Sequence, residues 1–80
     1  MSNIVLLEIE EDIRLAAQIV AKNRGIVLKV YADYADYKNH TAEDDKVCSS
    51  DESESRQHNF HYIKKPYTAH QLLELISTLG

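Results

Sequence analysis

Cysteine occurs once in this chain, at Cys48, so no disulfide can close within it, and a reducing compartment is expected. Long apolar runs are missing as well. Nothing approaches the ~18 consecutive apolar residues of a membrane-spanning helix, and no basic segment with a short apolar stretch behind it marks a secretion signal. A basic surplus is lacking too. Nine Lys and Arg stand against 13 Asp and Glu, a formal net charge of −4, which argues against a nucleic-acid binder with its basic face. These absences together lead to the expectation of a cytoplasmic protein with no membrane contact and no nucleic-acid partner.

What is there reads as one small domain. Eighty residues bury only about 60–65% of the surface of the unfolded chain. The opening Asn3–Leu7 (NIVLL) carries four consecutive apolar residues. It leaves no polar face and reads as a strand buried on both sides, as in the centre of a parallel α/β sheet. The polar run Glu8-Ile9-Glu10-Glu11-Asp12 then falls where that strand ends and a helix begins, the usual place for a site in open α/β sheets. Ile13, Ala16, Ala17 and Val20 recur at helical spacing, with Leu15 and Ile19 widening the stripe. Asn23-Arg24-Gly25 supplies the stop. Ile26–Val30 follows as a second strand, completing a right-handed βαβ unit.

The next segments are less regular. Tyr31, Tyr34 and Tyr37 recur every third residue and fall near one side of a short helix. They are either an aromatic patch for a partner or the cover of the sheet. Residues 39–59 are rich in acids and serine, with only Val47 and Cys48 able to pack; this composition predicts a mobile acidic linker. Phe60–Ile63 predicts a short strand. Thr68 and Gln71 have the spacing of a capping box, and Ala69, Leu72, Leu73 and Ile76, extended by Leu75 and Leu79, predict a final amphipathic helix. The chain thus divides into a βαβ unit with a short helix (1–38), a linker (39–59) and a C-terminal strand and helix (60–80).

Both ends resemble one family. NIVLLEIEEDIR is similar to the opening of a response-regulator receiver domain, a strand ending in acids before the first helix, and HYIKKPYTAHQLLELI resembles that family's close: last strand, Lys-Pro, final helix. The resemblance covers roughly the first 38 and last 21 residues. It implies a flavodoxin-like α/β fold, here shortened to a three-stranded parallel sheet of order 2-1-3 with the helices mainly on one face. It implies that Glu8 occupies the family's acidic position and Lys65-Pro66 its Lys-Pro, a peptide bond often cis there. The second acidic position falls on Ile9, which offers magnesium no hard oxygen ligand, and Asp51 is the one feeble candidate for the phospho-acceptor. The expectation is therefore a non-enzymatic regulatory module in signal transduction, without cofactor or metal and with the phosphorylation site lost. It would contact protein partners through Tyr62, Tyr67 and the tyrosine triplet. The alternative is an atypical receiver that accepts phosphate at Asp51 or Glu8. The shortened sheet would leave one apolar face open, and a homodimer through that face, or by exchange of the C-terminal unit, is expected.

The remaining constellations have ordinary readings. His58 and His61 form H-x-x-H, but residues three apart in a strand point to opposite faces. The acids between Asp44 and Glu54 lack the spaced ligands and glycine of a calcium loop. Cys48 has only Lys46 as a nearby cation and reads as a tolerated loop thiol.

Overall fold

In the computed structural model, which describes residues 3–79, the apolar opening forms β1 (Asn3–Leu7), with Ile4 to Leu7 between 0 and 6% exposed. Its side chains alternate between two cores. Ile4 and Leu6 enter one with Ala17, Ala21, Leu28, Cys48, Ile63, Leu72, Leu73 and Ile76, and Val5 and Leu7 enter the other with Tyr37 and Val47.

Helix α1 (Glu11–Asn23) begins with Glu11 and Asp12 in its first turn and ends before Gly25, whose φ of +70° places it in the left-handed region that glycine tolerates. It turns Ala17 and Ala21 inward, with Ile13 and Val20 half-buried. Leu15 and Ile19, expected in the apolar stripe, are 50% and 61% exposed. The buried contact is made by the small side chains of Ala17 and Ala21, a narrower stripe than the spacing of apolar residues predicts. Strand β2 (Leu28–Tyr31) pairs parallel to β1.

The tyrosine segment forms α2 (Tyr34–Tyr37), a single turn capped by Asp33, whose side chain accepts the Asp36 N–H, and a 3-10 turn at Lys38–His40 follows. Tyr37 is buried, with Tyr31, Tyr34 and Phe60 packed beside it over Val5, Leu7 and Val47. Of the two readings of the triplet, the sheet cover is the one found. The face expected to lie open is closed by aromatic rings, which removes the basis for a dimer through that face.

The stretch 39–59 departs most from expectation. Within it lie strand β3 (Asp45–Ser49) and helix α3 (Glu52–His58). Strand β3 pairs parallel with β1 on one side and with β4 (His61–Tyr62) on the other. The fold class is α/β with a parallel sheet as read, but the sheet has four strands in the order β2-β1-β3-β4 rather than three in the order 2-1-3. Val47 and Cys48, the two residues able to pack, face the two cores, and Ser49 is buried with its hydroxyl donating to Glu54 Oε1 at 2.9 Å. Two apolar side chains suffice for this strand because it is paired along β1 and β4 and its buried Ser49 hydroxyl is bonded.

The chain closes with a cis Lys65–Pro66 bond and α4 (Ala69–Leu79). Its capping box forms as read: the Thr68 N–H donates to Gln71 Oε1 at 2.8 Å and the Gln71 N–H to Thr68 Oγ1 at 3.1 Å. Leu72, Leu73 and Ile76 are buried against α1 and the sheet. The side chain of Leu79 and Gly80 lie outside the described residues. Ile63 packs on this same side, and His61 is exposed. Among the described residues no helix is long and apolar enough to cross a membrane.

Candidate functional site at the carboxyl end of the sheet

The strands β1, β3 and β4 end together at one edge, where Glu8, Ser50 and Lys65 emerge. Glu8 is fully buried, an unusual state for a carboxylate. Its backbone N–H donates to the Tyr31 carbonyl at 2.9 Å, so the side chain is fixed one residue beyond the strand. Oε1 accepts the Tyr67 hydroxyl at 2.5 Å. Oε2 accepts the Glu10 N–H at 3.0 Å and lies 2.9 Å from Lys65 Nζ. Lys65 also reaches Glu10 Oε2 at 2.7 Å. Arg14 Nη1 donates to the Glu8 and Ile9 carbonyls at 2.7 and 3.0 Å, which anchors the turn into α1.

The electrostatics follow from these contacts. Burial works to raise the Glu8 carboxyl, but the Glu10 N–H, Lys65, Tyr67 and Ser50 outweigh it and hold the group below its ordinary value. Glu10 and then Glu8 raise the Lys65 ammonium. Burial, followed by the bond to Glu8, drives the Tyr67 hydroxyl far up. Glu8 is thus a charged, saturated carboxylate joining β1 to the turn before α4.

Beside this latch is a cleft of about 270 Å³ lined by Leu7, Ile9, Asp33, Ser50, Asp51 and Lys65, among others. Asp51 stands at its rim as the N-cap of α3, with Oδ1 accepting the Glu54 N–H at 3.1 Å. Ile9, 69% exposed, forms part of the cleft wall. Among the described residues no group of three or more His, Cys, Asp or Glu is placed to share a metal ion. His58 stacks on Tyr34, with ring centroids 3.8 Å apart. Cys48 lies in the core with its thiol pushed up to about 11 by burial, so it is a packed residue rather than a loop thiol.

The structure therefore brings Glu8 and Lys65 together and adds Tyr67, Glu10 and Ser50. Pro66 is exposed beside them. Tyr67, expected on a partner surface, is half-buried with its hydroxyl committed to Glu8. Tyr37 is buried, with its hydroxyl donating to Asp45 Oδ2 at 2.7 Å, and Tyr31 and Tyr34 are half-buried beside it, so the triplet belongs to the core. Tyr62 alone of the five stays open, at 42% exposure on the edge strand β4. No short-range signal announces the Tyr67–Glu8 bond, which spans 59 positions. Comparison of the chain with protein-family models, curated proteins and solved structures gave no match.

Proposed function

We propose that this domain is a receiver-like regulatory module that works by protein contact without phosphoryl transfer, in a signalling role and in the cytoplasm. The observation that carries the reading is the saturation of Glu8. Its carboxylate has no exposed surface, and Lys65, the cation at this edge, is held by Glu8 and Glu10. A group so enclosed cannot take up a phosphoryl group or share a divalent ion without dismantling the latch. The surface left for a partner is the groove along β4 and α4, about 440 Å³, lined by Tyr62, Lys64, Pro66, Gln71 and Leu75 among others. Aromatic and aliphatic side chains framed by polar ones suit a protein contact.

Exposure of Asp51 at the cleft favours the rival reading, a phospho-accepting switch. Intact-mass measurement after incubation with acetyl phosphate and magnesium separates the two. The expected outcome is an unchanged mass. Addition of one phosphoryl group, mapped to Asp51 or Glu8, would overturn the proposal.

A further inference from the structure

The outward side of α1 carries a pattern that neither the core nor the apical site uses. Asp12, Leu15, Ile19 and Lys22 follow one another at spacings of three, four and three, which aligns them in one stripe along the helix. The buried Ala17 and Ala21 lie on the opposite side, and all four stripe residues are exposed. Among the described residues, Leu15 and Ile19 are two of the five exposed large apolar side chains. Two more, Ile9 at 69% and Val27 at 72%, lie just before and just after the helix. Four of five such residues gathered around one element form a patch, which isolated surface apolar residues do not. Among the described residues neither Asp12 nor Lys22 has an ion-pair partner.

The order of this stripe is its own complement. Read backwards it runs cation, apolar, apolar, anion at the same spacing. When two copies lie antiparallel about a twofold axis at Ala17, Leu15 of each faces Ile19 of the other, and Asp12 of each faces Lys22 of the other. Both pairs share the one midpoint, as an isologous contact requires. The same arrangement brings the Ile9 end of one copy beside the Gly25–Val27 end of its partner. There a groove of about 560 Å³, lined by Ile19, Lys22, Ile26 and Val27 among others, runs along the helix. A parallel pairing would set Asp12 against Asp12 and Lys22 against Lys22.

We infer that the outward face of α1 is a homodimer surface on which two copies pack antiparallel, with Leu15 and Ile19 at the centre and reciprocal Asp12–Lys22 pairs at the rim. A helix-on-helix contact of this length falls at the small end of specific interfaces, so the dimer is concentration-dependent. This inference is independent of the proposed function and uses the opposite side of α1 from the sheet.

Sedimentation equilibrium of the full chain from about 10 µM to about 1 mM covers the affinities such an interface supports. The expected result is a reversible dimer that Leu15→Asp weakens by about 30-fold or more, as a change at the centre of an interface does. Asp12→Lys and Lys22→Asp each place like charges opposite one another at both rims and weaken self-association. Mixed together, these two variants restore every opposed pair and form a one-to-one heterodimer. Because all three substitutions are at exposed positions, circular dichroism is expected to show the native fold in each. A wild-type chain monomeric throughout the range, a dimer indifferent to Leu15→Asp, or a mixture no more associated than its separate components would each overturn the inference.

Discussion

Glu8 concentrates the physical chemistry of the molecule at the scale of the residue. A buried carboxylate is tolerated when each oxygen is bonded and its charge is met, and here Tyr67, the Glu10 N–H and Lys65 meet both conditions. Glu8→Ala leaves the Tyr67 hydroxyl and Lys65 without their shared acceptor and is expected to lower the unfolding free energy by about 3 kcal/mol in urea titrations. Tyr67→Phe removes one bond to the carboxylate and is expected to lower it by about 1–2 kcal/mol. Lys65→Ala leaves the buried Glu8 carboxylate without its counter-charge and is expected to lower it by about 3 kcal/mol as well. The pH dependence follows from the same groups. Glu8 and Asp45 titrate below their ordinary values of 4.5 and 3.8 in the folded state, so their contribution is present above those values and lost as pH falls beneath them. Tyr37, Tyr67 and Lys65 titrate above their ordinary values of 10.0, 10.0 and 10.5. Their contribution is present below pH 10 and lost as pH rises beyond it. Thermal melts are therefore expected to plateau between about pH 5 and pH 9 and to fall on either side, the acid limb becoming shallower in Glu8→Ala.

Helix α3 is the instructive case among the elements, because it holds its place almost without apolar burial. Only Ser55 of its seven residues is buried. Asp51 caps its first turn, and Asn59, at a φ of 56°, closes its last in the left-handed conformation, with the Phe60 N–H donating to the Ser55 carbonyl at 2.9 Å. Glu54 fastens it to its neighbours, accepting the Tyr34 N–H and the Ser49 hydroxyl, both at 2.9 Å. Asp51→Ala removes the cap and is expected to lower stability by about 1 kcal/mol. Thr68→Ala at the start of α4 should do the same, both read from chemical denaturation. Strand β3 lies between β1 and β4 and is paired on both sides. Amide hydrogen exchange is therefore expected to be as slow at Val47 and Cys48 as at Val5 and Leu6, whereas a solvated linker would exchange within seconds.

Over the whole molecule, a parallel sheet of four strands is covered on one face by α1 and α4 and on the other by rings from α2, Tyr31 and Phe60. With both faces covered, the outer side of α1 and the two edges are what remain for contacts. If two copies pair through α1, association and folding are linked. The melting temperature of the wild type should then rise with protein concentration, while that of Leu15→Asp stays constant.

Local chemistry wrote several parts of this fold into the sequence by itself. Four consecutive apolar residues made β1 a buried strand, Gly25 ended α1, and Thr68 with Gln71 began α4, because a run, a left-handed turn and a capping box each depend on neighbours a few positions away. Strand β3 and helix α3 were obscure, since their signal lies in polar pairing instead of apolar periodicity. Asp51 with Glu54 three residues on, and Asn59 at the close, were the marks that could have exposed them. Glu8 and Lys65 could be named as site residues, but their meeting and the part of Tyr67 could not, since those contacts join positions 57 and 59 apart along the chain. Only the tertiary structure decided whether the tyrosines face solvent or sheet, and which side of α1 is left bare. Spacing along a helix fixes which residues share a face, but what that face meets depends on how the other elements fill the space around it.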